Sequence, residues 1–368
     1  MKQNQTINEV IIVRSIACLS IVFLHSIGFA LSGNHIGAWT RGFFDSIHVL
    51  LYYGTPMFIF ISELLIAYSY RNKALPKNFL RKRFKLIFLP FLCMALFYTI
   101  PHANTLENGV TKFLLNTIIG DFHGYFVLII FQFYLIHMLF HEHLKRWNPK
   151  IVVTVALLIN VSYLAIFNFT EPLNIPAGEY IWNRFYWVPF FGWVFYFILG
   201  YYCGYYFENF IKRLHEFKWL VLISPLISSF LLLMFYHSDF INIHSSKRID
   251  LLLHTTVMCF FLFYIAQKVR KIPGFLLTVN EYSFGIYLLH MFFLSLVDFV
   301  YPNYLVFPIG YYILFLFVFS TISSIITIYY MNKWEHGKYI FGKVNKRTES
   351  NPLTTKNKEQ INEKTYNF

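Results

Sequence analysis

The chain reads as an all-α, polytopic transmembrane helix bundle of about ten spans, and three observations carry that expectation. First, 57% of its 368 residues are hydrophobic and only 13% are charged, against roughly 25% charged in a soluble globular domain. Second, apolar runs near the length of about 20 residues that crosses a bilayer recur at 11–30, 46–69, 84–100, 122–141, 151–168, 187–206, 218–236, 249–267, 281–300 and 306–330. Third, the loops between them alternate in charge. YRNKALPKNFLRKRFK, EHLKRWNPK and QKVRKIPG are basic, ENFIKRLHEFK weakly so, and the residues from Asn332 onward carry eight basic against four acidic side chains. The intervening loops 31–45, 101–121, 169–186, 237–250 and 301–305 are close to neutral. Positive loops stay on the cytoplasmic side. The alternation therefore predicts an even number of spans, with both termini cytoplasmic, in a multi-pass protein of the cell membrane.

The same composition sets bounds on function. A net charge of +13 would raise nucleic acid in a soluble protein, but here it is confined to short interhelical clusters that face anionic lipid, so the lipid bilayer is the expected partner and nucleic acid is not. The four cysteines all lie in apolar runs without paired spacing and read as small buried hydrophobes. The N-terminal run contains Arg14 and His25 and a poor cleavage site, so it reads as a retained first span rather than a signal peptide. Residues 1–331 form the expected transmembrane domain. Residues 332–368, polar and without apolar periodicity, read as a disordered cytoplasmic tail. There is no P-loop, dinucleotide fingerprint or Gly-x-Ser-x-Gly elbow.

Polar residues inside the spans carry the chemistry. Arg14 and His25 are eleven residues apart, three turns plus roughly 20°, so they share one helix face about 16 Å apart. Arg14 lies near the cytoplasmic end and His25 in the outer half. Glu63, in the second span, sits near the depth of Arg14 and is costly to bury alone, which predicts an Arg14–Glu63 pair. In the third span, RKRFK serves as a topogenic signal or as a docking patch for phosphates, with Arg83 and Lys85 nearest the apolar boundary. His137, His141 and His143 lack a carboxylate in register, so no metal site is expected. Gly192, Gly200 and Gly204 make a close-packing face. In the ninth span, Ser283, Tyr287 and His290 fall on one face at spacings of four and three.

These segments together resemble the acyltransferase-3 family of integral membrane proteins. Arg14 and His25 look like its Arg-x10-His signature. MFIFISELL resembles its second-span motif, FLRKRFKLIFLPF its basic-then-Pro third span, HGYFVLIIFQFYL its fourth and SFGIYLLH its ninth. Glu63 stands where the family usually has Gly, Tyr125 where it often has Trp, and Leu86 or Ile87 where a second third-span Arg is common. Several details look nearest to the branch of the intercellular adhesion protein C of poly-N-acetylglucosamine biosynthesis.

The resemblance implies a membrane-bound O-acyltransferase that moves an acetyl- or succinyl-type acyl group from cytosolic acyl-CoA to a hydroxyl of an extracytoplasmic, cell-surface glycan. It assigns His25 as general base, since a neutral imidazole suits that proton transfer, and Arg14 as its catalytic partner at the donor. Ser62, Glu63, Arg83, Lys85, Tyr287 and His290 become the substrate-binding candidates, with acyl-CoA as acyl donor and no metal. The alternative is a polysaccharide export or translocation component of the cell membrane.

Overall fold

The computed structural model describes residues 7–32, 36–238, 240–241, 243–300 and 308–344. Helices are the only regular elements among them. Nine helical segments are long and apolar enough to cross a membrane, and a tenth, shorter apolar helix stands where the sixth span is expected. The chain is a multi-pass membrane protein.

The first span is α1 (Asn8–Ser32). The second bends through α2 (Ala38–Leu50), a 3-10 turn at Leu51–Tyr53, and α3 (Gly54–Tyr70). The third combines α4 (Phe79–Arg83), a π-helical turn at Phe84–Phe88, and α5 (Leu89–Phe97). An amphipathic helix, α6 (Leu106–Ile118), is capped by the Thr105 hydroxyl, which accepts from the Asn108 amide at 3.1 Å. It precedes α7 (Phe126–Leu144), the fourth span. Then follow α8 (Pro149–Phe169), the short α9 (Gly178–Trp187), α10 (Val194–Tyr205), the amphipathic α11 (Phe207–Glu216) and α12 (Lys218–His237). The bundle closes with α13 (Leu251–Lys268), α14 (Gly274–Val300), α15 (Ile309–Met331) and the single-turn α16 (Gly337–Ile340).

Two departures from the expected spans have local causes. The sixth run shortens because Pro189 and Gly192 break it into a 3-10 turn and a 12-residue α10, about 18 Å of helix against an apolar thickness of about 30 Å. The segment 332–344, counted with the tail from composition, folds back instead. Its Asn332 amide nitrogen donates to the Ile328 carbonyl at 3.1 Å and the Gly342 carbonyl at 3.2 Å, and Phe341 joins the cluster around Ile286 and Ile328. The rest of the expected tail lies outside the described residues.

The central position of α1 follows from its sequence. Apolar and small residues surround it on every face, so it buries all round and packs against α3, α13, α14 and α15. Against α3 lies α10, closely enough that a Cβ at Gly200 would meet the Phe60 carbonyl oxygen at 2.5 Å and one at Gly204 the Leu64 oxygen at 2.2 Å. Small residues let helix backbones approach where no hydrophobic effect drives them together. By contrast α8 and α12 leave Leu158, Ile159, Leu226 and Phe230 exposed, as lipid-facing helices do. The bundle thus has an inner group of helices able to hold polar side chains away from lipid.

Candidate active site

A single cavity of about 1520 Å³ runs between α1, α3, α4, α7 and α14. At one end it reaches the side of the bundle that carries the basic loops, where Asn8, Lys73, Lys82, Arg83 and Lys343 line it. At the other it reaches Asp121, Arg184, Trp187 and Ser246. Arg14 and His25 both face into it from α1, as their shared helix face requires.

The basic end gathers Lys73, Lys82, Arg83 and Lys343 near Arg14, and Glu281 also lines the cavity. Arg14 makes no hydrogen bond or ion pair with any described residue, and Arg83 is among its nearest charged neighbours. The Arg83 guanidinium lies 5.0 Å from the Phe79 ring centre and 5.2 Å from that of Tyr134, and its Nε has no partner among the described residues. Two guanidinium groups near one another in a largely apolar surrounding are costly. An anionic ligand offsets that cost through charge-assisted hydrogen bonds.

Midway along the cavity three imidazoles converge from three different elements. The ring centres of His25 and His290 are 5.3 Å apart, and those of His290 and His123 are 5.7 Å apart. On α14, the His290 Nδ1–H donates to the Ile286 carbonyl at 2.9 Å, which makes Nε2 the acceptor, and Nε2 has no partner among the described residues. His123 stands in the 3-10 turn before α7 and donates from Nε2 to the Leu288 carbonyl at 3.2 Å. The Tyr287 hydroxyl donates to the His123 carbonyl at 2.6 Å, and Tyr98 to the Leu288 carbonyl at 3.1 Å. Backbone acceptors thus set the orientation of His290 and His123. His25 makes no side-chain hydrogen bond to a described residue and presents its ring to the cavity.

At the far mouth, Asp121 receives Lys112 Nζ at 2.6 Å and lies 3.4 Å from Arg184 Nη1, while Tyr125 and Trp187 meet edge to face at 5.3 Å. This mix of hydroxyl, charge and aromatic surface suits a polar, multiply hydroxylated ligand.

Of the eight candidate residues, six line this cavity: Arg14, His25, Ser62, Arg83, Tyr287 and His290. Glu63 and Lys85 do not. Glu63 is buried on another face of α3, where its Oε1 meets His137 Nδ1 at 2.5 Å, so the expected Arg14–Glu63 pair is replaced by a Glu63–His137 pair. His137 stacks on His141 at 4.7 Å, and the Tyr201 hydroxyl reaches His141 Nδ1 at 3.2 Å. Lys85 is exposed away from the cavity, because two residues on a helix turn the chain by about 200°. Lys82, one residue before Arg83, lines the cavity in its place. His123, Asp121 and Arg184 escaped sequence reasoning. The histidine that opens HGYFVLIIFQFYL was the available signal for the first.

These features define a polytopic membrane protein built around a long cavity, with a histidine cluster between a cationic end and one lined by Asp121, Arg184 and Trp187. Residues 7–329 match the family model described as "Acyltransferase domain", of the acyltransferase-3 type, and the chain belongs to that family and is an acyltransferase. It is 38% identical over 346 residues, 92% of this chain and 95% of the other, to the Bacillus subtilis (strain 168) protein named "Putative membrane-bound acyltransferase YfiQ". It is also 26% identical to a Staphylococcus aureus (strain Mu50 / ATCC 700699) protein and 28% to one of Staphylococcus epidermidis. Each is named "Probable poly-beta-1,6-N-acetyl-D-glucosamine export protein". Those matches cover 80% and 82% of this chain and 84% of each relative. No solved structure matches.

Proposed function

We propose that this acyltransferase moves an acetyl- or succinyl-type group from cytosolic acyl-CoA to a hydroxyl of a cell-surface glycan. The observation that carries the reading is the cavity itself, which joins the Arg14 and Arg83 guanidinium groups to a histidine cluster and continues to a mouth lined by Asp121, Arg184 and Trp187. Arg14 and Arg83, with Lys82, receive the coenzyme phosphates at the basic end. The extended arm of the coenzyme spans the rise of about 16 Å between Arg14 and His25, which brings the thioester to the imidazoles.

His25 then accepts the proton of the acceptor hydroxyl as its oxygen attacks the thioester carbonyl. The carbon–sulfur bond breaks as the ester forms, and the proton passes to the departing thiolate. His290, its tautomer held by Ile286, stands beside His25 with its ring centre 5.3 Å away and leaves Nε2 as an acceptor in the same pocket. Tyr287 and His123 brace that pair. Ser62 lines the donor side of the cavity, and the far mouth, with Trp187, Asp121 and Arg184, holds the sugar.

The names of the staphylococcal relatives support a second reading, passage of a polysaccharide across the membrane by the same cavity. One experiment separates the two. Loss of a positioned general base costs about 10²–10⁴-fold in rate, so His25→Ala abolishes acylation of the surface glycan while the protein stays in the membrane and polymer still reaches the surface. Mass spectrometry of the surface polysaccharide measures both. Unchanged acylation per sugar together with lost surface polymer would overturn the transferase mechanism in favour of export.

A further inference from the structure

Away from the histidine cluster, at the opposite end of the bundle from the basic loops, three metal-ligating side chains converge without being satisfied by one another. Asp45 and His48 stand on one face of α2, three residues apart. His244 comes from the connection between α12 and α13. Their ligand atoms all lie within 4.8 Å of each other. The His48 and His244 ring centres are 4.6 Å apart, and His244 Nε2 is 3.8 Å from Asp45 Oδ1. His48 is buried, yet its ring makes no hydrogen bond to any described residue, and neither does the Asp45 carboxylate.

We propose that Asp45, His48 and His244 bind a divalent cation of the zinc type. Two imidazoles and one carboxylate with an open fourth position are a zinc donor set, whereas calcium and magnesium take oxygen ligands. Tetrahedral ligands at about 2.0–2.2 Å from zinc stand about 3.3 Å apart, so side-chain rotations of about 1 Å close the observed spacing. The outer shell is in place. The Tyr52 hydroxyl lies 2.5 Å from His244 Nδ1 and accepts its proton, which leaves Nε2 as the ligand atom.

His244 is carried on a braced segment. Arg248 donates to the Ile241 and Ile243 carbonyls at 2.7 and 3.3 Å and pairs with Asp250 at 2.7 Å. Asp45 and His244 retain partial exposure, which provides the entry path. The ion fastens α2 to the α12–α13 connection, and Tyr52 and Ser246 carry that constraint to the cavity, which both line. None of this depends on which acyl group the protein moves. His137, His141 and His143, the histidines weighed as ligands from sequence, lie elsewhere and are not part of the site.

The test uses the full-length protein in detergent, treated with a chelator and titrated with ZnCl2 alone, with Co²⁺ as a second probe whose visible absorption reports tetrahedral coordination. The expected result is about one equivalent per chain. Tyr52→Phe weakens binding about 10–100-fold. Asp45→Asn and His244→Ala weaken it more, and the exposed, distant His102→Ala does not weaken it at all. Asp45→Asn conserves side-chain volume, so its unchanged size-exclusion profile separates loss of a ligand from loss of fold. Absence of stoichiometric binding in the wild type, or equal affinity in the ligand variants and the wild type, overturns the proposal.

Discussion

Arg83 and Lys85 are both basic, both near the apolar boundary and only two residues apart, yet one faces the cavity beside Arg14 and the other faces away. Their substitutions should therefore part company. Arg83→Ala removes a charge-assisted hydrogen bond of about 1.5–3 kcal/mol, which raises the KM for acyl-CoA about 10- to 100-fold, while Lys85→Ala leaves it within about twofold. Equal effects in steady-state kinetics on the purified protein would move the donor site off this face.

Lys247 poses a different question, because it is fully buried with its Nζ 4.1 Å from the Trp193 ring centre and no hydrogen-bond partner among the described residues. Burial holds its ammonium well below the ordinary lysine value of 10.5. Between that depressed value and 10.5 the unfolded chain binds the extra proton, so stability rises with pH across the window and is lowest beneath it. The wild-type melting temperature should climb as pH rises toward the ordinary lysine value of 10.5, and Lys247→Met should flatten the climb. Parallel slopes in a tryptophan-fluorescence melt would mean that the aromatic rings around Lys247 hold its proton in place.

Among the helices, the contact of α10 with α3 is the tightest test of packing. A Cβ added at Gly204 would sit 2.2 Å from the Leu64 carbonyl oxygen, a backbone atom that cannot swing aside. Gly204→Ala should lower stability by about 1–3 kcal/mol, seen as a lower melting temperature in detergent with the cavity residues untouched. A wild-type midpoint would show that the 12-residue α10 slides away from α3. On the same helix, Ser62 lines the cavity and Glu63 turns toward His137 on α7. In the third span, the residues that line the cavity, 79, 82, 83, 86 and 87, keep helical spacing across the start of the π-helical turn at Phe84–Phe88.

For the molecule as a whole, the direction of insertion decides which mouth of the cavity meets the donor. By the positive-inside rule, the basic loops at one end predict that this end faces the cytoplasm. In a background without native cysteines, Glu179→Cys should react with a membrane-impermeant thiol reagent in intact cells, and Asn72→Cys only after permeabilisation. The reverse pattern would put the arginine pair outside and remove access to a cytosolic donor. With the expected orientation, the cavity allows donor and acceptor to approach from opposite sides of the bilayer without either crossing it.

Hydropathy, charge alternation and helical period are local properties, and they made the bundle, the positions of its spans and the shared faces of Arg14 with His25 and of Ser283, Tyr287 and His290 legible in the chain. Even the outward turn of Lys85 was implicit in its two-residue offset from Arg83. Partners on different helices were not legible in this way. The rotation of one helix against another is set by how side chains interdigitate across the bundle, and no spacing along the chain encodes it. Depth favoured Arg14 as the partner of Glu63, but packing gave Glu63 to His137, 74 positions away, and left Arg14 open to the cavity. Packing likewise brought His123 beside His290, and His244 beside Asp45 and His48, from segments that are remote in the chain.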